Sequence, residues 1–170
     1  LNQRSDFKGF LQAGGYLGLL VLTGASAYFS VGYLPWPLAV AVFFFHGTCY
    51  AFLGNGFHEL AHDSVFKTKW LNRFFLCFFS FLGWHNHIHY WASHTEHHKY
   101  TLHPPDDLEV VVPTPVCLKA FLKMAVVQPF GIYHVAVGNI KLGLGRVEGE
   151  WSNHLFPASD VKQRRRMRYW

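Results

Sequence analysis

Charged residues are scarce in this sequence, and those present are unevenly placed. Lys, Arg, Asp and Glu make up 15% of the 170 residues, against about 25% in an ordinary soluble domain. None occurs from Gly9 to Phe57, while 51% of the chain is hydrophobic and 18% is aromatic. The shortage of charge argues against a soluble protein. It favours an integral membrane protein, and the length suits one domain over residues 1–170.

Cysteine is also scarce. Cys49, Cys77 and Cys117 are odd in number, widely spaced and without a C-x-x-C pair. This usage excludes a disulfide framework and a thiolate metal site. We therefore expect three reduced cysteines that fill apolar space.

The charge-free stretch can hold two membrane spans of roughly 20 residues each. Leu34-Pro35-Trp36-Pro37 divides it, since two prolines around a tryptophan are typical of a turn at the membrane–water interface. The sequence predicts spans at about residues 10–33 and 37–57. A cleaved signal peptide is the alternative, with a basic start and an Ala25-Ser26-Ala27 motif. The apolar stretch continues past that motif, which favours a span.

Basic residues predict the orientation of the spans. Basic residues precede the first span and follow the second, so with two spans they all lie on one side of the membrane. The positive-inside rule makes that side cytoplasmic. The residues are Arg4, Lys8, Lys67, Lys69, Arg73 and the RRRMR run at residues 164–168. The net charge of +5 then reflects topology and contact with anionic lipid rather than nucleic-acid binding.

Two further apolar segments are predicted to lie in the membrane interface. Trp70–Trp84 is strongly aromatic but short for a span. Cys117–Ile140 is apolar but interrupted by polar residues, so it either lies in the interface, which we favour, or is a poor span. The predicted fold is therefore all-α, with two transmembrane helices and interfacial helices. A cytoplasmic histidine-rich region is expected at 58–103 and an interfacial and tail region at 113–170.

The pentapeptide HELAH at residues 58–62 is the first chemical motif. As H-E-x-x-H it matches the zinc-protease signature, in which Glu59 would be the general base. On a helix, His58 and His62 lie one turn apart on one face and can share a metal ion. The motif also directly follows a predicted span, where ionisable groups are costly and usually functional.

A second motif, H-T-E-H-H at residues 94–98, argues against the protease. On a helix, His94 lies one turn from both His97 and His98, which point about 100° apart. A protease built on H-E-x-x-H needs one further ligand, not a second cluster. Five histidines in two helical boxes suit more than one metal ion, although imidazole alone does not select the metal.

These motifs resemble the membrane fatty acid desaturase family. H58-E-L-A-H62 with the following D-S-V-F and K-T-K-W-L-N is similar to the first histidine box. H94-T-E-H-H98 with the following K-Y-T and P-P-D-D-L-E is similar to the second. Two spans, box one, an aromatic segment and box two follow in the family's order. The resemblance covers roughly residues 10–112, with a fainter echo in EWSNHLFP and the basic tail.

The resemblance implies an oxidoreductase with two iron ions, O₂ and an electron donor of ferredoxin or cytochrome b5 type. The substrate would be a fatty acyl chain in lipid, which loses two hydrogens and gains a double bond. Related hydroxylases share the boxes, so hydroxylation is an alternative, beside the zinc protease. By resemblance the iron ligands are His58, His62, His94, His97 and His98.

The family also has a third box, of H-x-x-H-H or Q-x-x-H-H form, and none follows His98. His103, His134 and His154 are isolated. We therefore expect the 170 residues to be part of a longer chain, and to be inactive alone.

Other polar residues near the boxes are candidates for supporting roles. Glu59 and Glu96 are expected to orient ligand histidines. Asp106 and Asp107 either form a solvated turn or hydrogen-bond a ligand imidazole and set its tautomer. His89 is a candidate additional ligand. We expect the remaining histidines to be interfacial or buried and hydrogen-bonded, as for His85, His87 and His46. A haem protein with two axial histidines is disfavoured, because the first span has no histidine.

Overall fold

The computed structural model describes residues 3–109 and 117–168. Within those ranges the chain is helical and forms no strand, which confirms the all-α prediction. The chain divides into two compact units, residues 1–83 and 84–170. The expectation of one domain remains a prediction. The predicted tail region starts at 113, and residues 113–116 lie outside the described residues.

The described part of the first unit, residues 3–83, contains four helices. They are α1 (Asp6–Tyr33), α2 (Trp36–Ala51), α3 (Leu53–Ala61) and α4 (Lys69–Leu82). Helix α1, and α2 with α3 taken together as Trp36–Ala61, are long and apolar enough to cross a membrane. These are the two segments predicted as spans. The second now extends four residues further, through most of HELAH.

The turn between the spans follows from its prolines. Leu34 leaves the helix in extended backbone and still donates its N–H to the Ser30 carbonyl. Pro35 is the N-cap of α2, and Pro37 lies in its first turn. A proline loses nothing there, because the first N–H groups of a helix have no intrahelical acceptor.

Apart from Leu20, small side chains line the buried face of α1, which packs on α2. The buried positions are Gly9, Ala13, Leu20, Thr23, Ala27 and Ser30. Bulky apolar side chains such as Tyr28 and Phe44 instead point outward, 76% and 77% exposed. Small residues at the contact and large ones outside are typical of helices that pack in lipid. Between the helices, Thr23 Oγ1 lies 2.9 Å from His46 Nδ1, so His46 is hydrogen-bonded, as expected.

Helix α4 packs against α3 through one face and exposes the other. At 14 residues it is about 21 Å long, too short for a bilayer core of about 30 Å. Phe75 stacks on Phe66 at 4.9 Å between ring centroids, and Phe66 is fully buried. The ring cluster stabilises the loop that follows the first histidine box.

Asn72 of α4 holds that loop by hydrogen bonds. It is fully buried. Its side chain accepts from Phe66 N and donates to Phe66 O, both at 2.9 Å. Asn72 therefore provides a hydrogen-bond partner for both the backbone N–H and the backbone C=O of buried Phe66.

We expect Asn72→Ala to destabilise the first unit by about 2–4 kcal/mol, because a buried donor and a buried acceptor lose their partners. The midpoint of thermal unfolding in detergent measures the effect. Asn55→Ala is the control, since Asn55 is exposed on α3. Equal midpoints for the two variants would contradict this role of Asn72.

The second unit contains α5 (His87–Tyr100), α6 (Leu118–Gly143), α7 (Glu150–Leu155) and α8 (Val161–Met167). Leu142, Phe156 and Met167 form its buried core, against which Ile88 and Ala92 of α5 pack. Helix α5, which carries the second histidine box, is therefore packed against the hydrophobic core of this unit.

Asn86 fixes the start of α5. It is fully buried, and its Oδ1 caps the helix by accepting from Ile88 N and His89 N, each at 3.1 Å. Its Nδ2 donates to the Met167 carbonyl at 3.0 Å, and its backbone N donates to Asn139 Oδ1 at 2.7 Å. Asn86 thus joins the start of α5 to the end of α8 through its side chain, and to α6 through its backbone N–H.

Candidate metal centre

The first histidine box lies at the end of α3. The rings of His58 and His62 are 4.8 Å apart between centroids and inclined by 71°. His62 is the C-cap residue of the helix, so the four-residue spacing still places both imidazoles on one face. A ligand nitrogen of each lies within 4.8 Å of the other. The pair is therefore close enough to share one metal ion after small side-chain rotations.

The Glu59 carboxylate lies next to the His58 ring. Its Oε1 is 3.2 Å from His58 Nδ1. Its Oε2 accepts from the Ser64 hydroxyl at 2.9 Å, and the same hydroxyl is 2.7 Å from the Glu59 carbonyl. The carboxylate is thus held next to the imidazole nitrogen that faces away from a metal bound through Nε2.

The second box shows convergent nitrogens within the second unit. His94 Nε2 and His98 Nε2 are 3.0 Å apart, and their rings are nearly perpendicular, at 87°. His94 is buried, with 6% of its surface exposed. Two metal–imidazole bonds of about 2.1 Å at about 90° would separate the nitrogens by about 3.0 Å. The separation is that of a hydrogen bond between the two rings, and it equals the spacing of two neighbouring ligands of one metal ion.

In the second box, carboxylates contact Nδ1 of two histidines, the ring nitrogen on the other side from Nε2. His94 Nδ1 lies 2.9 Å from Glu109 Oε1, and His97 Nδ1 lies 2.7 Å from Asp107 Oδ2. An ionised carboxylate only accepts hydrogen bonds, so each Nδ1 carries the proton. Each Nε2 then keeps its lone pair, which is how proteins prepare imidazole ligands.

Asp107 is held in its ionised form by its own surroundings. It is fully buried, and burial by itself disfavours the charge. The N–H groups of Leu102 and Glu109, followed by the His97 imidazole, outweigh burial and hold the pKa of this carboxyl below its usual range. Leu102 has a left-handed backbone, at φ 62°, and its N–H donates to Asp107 Oδ2 at 2.7 Å. The loop is therefore folded around the carboxylate.

Other candidates have different surroundings. Asp106 is exposed, and Glu96 Oε1 accepts from Lys99 Nζ at 2.6 Å. His89 Nε2 lies 3.0 Å from Ser152 Oγ, and its ring stacks on Phe156. Burial lowers the pKa of His89 to about 4, so this imidazole is neutral at pH 7. The roles assigned to these residues from the sequence remain predictions.

Glu109 was not singled out from the sequence. It closes the quoted P-P-D-D-L-E stretch, and its only local signal is an acidic side chain after a histidine box. Fifteen residues separate it from His94, so no helical spacing pairs them. Only the return of the 101–109 loop along α5 brings them together.

The comparison with protein families decides the assignment. The family described as Fatty acid desaturase matches residues 32–170. The chain belongs to the fatty acid desaturase family. The match includes both histidine boxes. It extends beyond residue 112, where the resemblance noted from the sequence ended, and it begins near the end of α1. No curated protein and no solved structure matches the chain.

Family membership makes the protein an oxidoreductase of fatty acid metabolism. The family generally uses a di-iron centre, with O₂, an electron donor and a fatty acyl substrate. The residues of each box fit iron binding, because each box offers imidazole nitrogens and three of the histidines, His58, His94 and His97, have a carboxylate beside Nδ1. Imidazole is a ligand that suits iron.

Proposed function

We propose that the protein is a membrane-bound di-iron desaturase that introduces a double bond into fatty acyl chains of lipids. The family match over both boxes carries the proposal. The convergent nitrogens of His94 and His98 support it. When bound, a pair of histidine-ligated irons activates O₂ so that hydrogen can be removed from an unactivated C–H pair.

The iron ligands in this proposal come from both boxes: His58, His62, His94, His97 and His98. Asp107 keeps the Nδ1 proton on His97 and presents Nε2 to the metal. Glu59 does the same for His58, from a more exposed position. These side chains hold and orient the ligands, and they move no proton of the substrate.

The membrane placement is part of the same proposal. Helices α1 and α2–α3 cross the bilayer, and both boxes lie on the cytoplasmic side. The support is the charge-free stretch, the outward-facing aromatic side chains of α1 and α2 and the basic residues that flank the spans. Helix α4 then lies in the interface, with Phe74 and Phe81 on its exposed face.

The proposal is tested by lipid analysis of a host that lacks desaturases. The full reading frame is expressed with a ferredoxin or a cytochrome b5 system, and the acyl chains are analysed by mass spectrometry. We expect new double bonds that require O₂ and one of the two donors. Hydroxylated chains would identify the hydroxylase alternative. Unchanged lipids from an iron-loaded, well-expressed protein would contradict the proposal.

A zinc protease predicts a different result. Its activity would depend on Glu59 as general base and not on the second box. Glu59→Gln should abolish activity in that case, while His97→Ala should leave it intact. For the desaturase we expect the opposite ranking of the two variants.

A further inference from the structure

We propose that Glu109 is the positioning residue for His94, and that Trp151 of α7 braces it through Ser93. The inference rests on the proposed function in one respect, namely that His94 binds metal. It concerns residues for which the sequence motifs give no role. Its consequence is that the docking of α7 on α5 sets the geometry of a ligand in the second box.

The contacts form one continuous chain of hydrogen bonds. Trp151 Nε1 lies 2.9 Å from Ser93 Oγ. The Ser93 hydroxyl contacts Glu109 Oε2, and Glu109 Oε1 is 2.9 Å from His94 Nδ1. Fifty-eight residues separate Trp151 from Ser93 in sequence, so the chain links two distant elements of the second unit.

The direction of each bond follows from the chemistry of its members. The indole N–H of Trp151 can only donate, so Ser93 accepts from it. The serine's single hydroxyl proton is then free to donate to Glu109. The ionised carboxylate of Glu109 only accepts, so His94 must donate from Nδ1. The whole chain therefore enforces one tautomer, in which Nε2 of His94 carries the lone pair that a metal needs.

Burial strengthens this arrangement. Ser93 and His94 are 5% and 6% exposed, and the Glu109 side chain is 18% exposed. Hydrogen bonds to a charged group in such surroundings are shorter and stronger than those in water. A carboxylate that accepts from two buried donors has little freedom to rotate. Glu109 therefore fixes the plane of the imidazole as well as its tautomer.

The two carboxylates of the second box are held in different ways. Asp107 is fixed by N–H groups of its own loop, at Leu102 and Glu109. Glu109 is fixed from outside the loop, through Ser93 and Trp151. Changes in α7 should therefore affect His94 more than the contact between His97 and Asp107.

Cobalt(II) binding tests the proposal, because its visible absorption reports the ligand set independently of turnover. The metal-free protein from the full reading frame is titrated with Co²⁺ in detergent. We expect Glu109→Gln to weaken binding by about 10–100-fold, the usual cost of losing the partner of a metal-bound histidine. Trp151→Phe removes one hydrogen bond of the chain and should cost about fivefold, and Ser93→Ala removes two, those with Trp151 and Glu109, and should cost about fivefold or more. All three should alter the cobalt spectrum.

Matched variants separate positioning from general damage. Glu148→Gln removes a carboxylate that also lines the cavity of about 470 Å³ beside Glu109. Glu148 binds Lys141, at 2.7 Å, and not a histidine, so its variant should bind Co²⁺ normally. Glu109→Asp should bind more tightly than Glu109→Gln, because it restores the charge. Circular dichroism checks that each variant keeps its helices.

The outcomes distinguish this inference from the proposed function. If His94→Ala loses cobalt while folded Glu109→Gln and Ser93→Ala bind it normally, the positioning role is wrong and the metal site stands. If His94→Ala binds Co²⁺ like the unaltered protein, the metal assignment itself fails. If Glu109→Gln does not fold, Ser93→Ala decides, because it loosens the same carboxylate with a smaller change.

Discussion

His94→Ala will lose iron and all formation of double bonds, while the protein remains folded in detergent. His94 is the box histidine with the strongest constraints, being buried, 3.0 Å from His98 Nε2 and held by Glu109 at Nδ1. Removal of a ligand should cost more than the 10–100-fold in metal affinity typical of an outer partner. Iron per chain, measured by elemental analysis after gel filtration, checks the result.

The control for this experiment is His103→Ala. His103 lies in the same unit, is exposed and binds backbone carbonyls of Tyr100 and Thr101 at 2.7 Å. It should retain iron and activity. Equal iron in both variants would remove His94 from the ligand set. Equal loss in both would point to a general effect of the substitutions on the second unit.

Asp107→Asn will both destabilise the second unit and weaken metal binding. The buried carboxylate accepts hydrogen bonds from Leu102 N, Glu109 N and His97 Nδ1. An asparagine side chain has one acceptor oxygen, and its NH₂ group would face a donor. We expect a loss of roughly 2–4 kcal/mol in stability and about 10–100-fold in metal affinity. Thermal unfolding of the metal-free protein and a cobalt titration measure the two effects.

Asp106→Asn is the informative comparison, because both aspartates were candidates from the sequence. Asp106 is exposed, whereas Asp107 is fully buried. The effect of Asp106→Asn should be much smaller. Similar losses in the two variants would contradict the assignment of the structural role to Asp107.

The stability that Asp107 contributes should depend on pH. Its folded-state pKa lies below the ordinary value of 3.8, so its ionised form stabilises the fold. The contribution is fully present above pH 3.8 and is lost as the pH falls below 3.8 and through the lower folded-state pKa. Asp107→Asn should flatten this part of the profile for the metal-free protein.

The two long apolar helices and the helical placement of the boxes could be predicted because their signals are local. An absence of charge over 49 residues from Gly9 to Phe57 leaves few alternatives to helices in lipid. Spacings of three and four residues place the histidines of each box on neighbouring positions of one helix. The first inference needs only composition, and the second needs only the periodicity of the helix.

The partners of the boxes were harder to predict because they are brought together by tertiary folding. Asp107 was a candidate only because acidic residues follow the box, and its burial was not evident. Glu109, Ser93 and Trp151 meet through the return of a loop and the docking of α7. Asn72 and Asn86 likewise bind backbone groups that no periodic pattern specifies. Sequence spacing does not encode such contacts.

The metal content of the purified protein tests the central claim most directly. The protein is expressed from its full reading frame in medium that supplies both iron and zinc, and its metals are determined by elemental analysis and X-ray absorption. We predict two irons per chain with nitrogen ligands, and loss of both metal and signal in a variant that lacks His94 and His98. One zinc per chain, retained in that variant and dependent on His58 and His62 alone, would contradict the account.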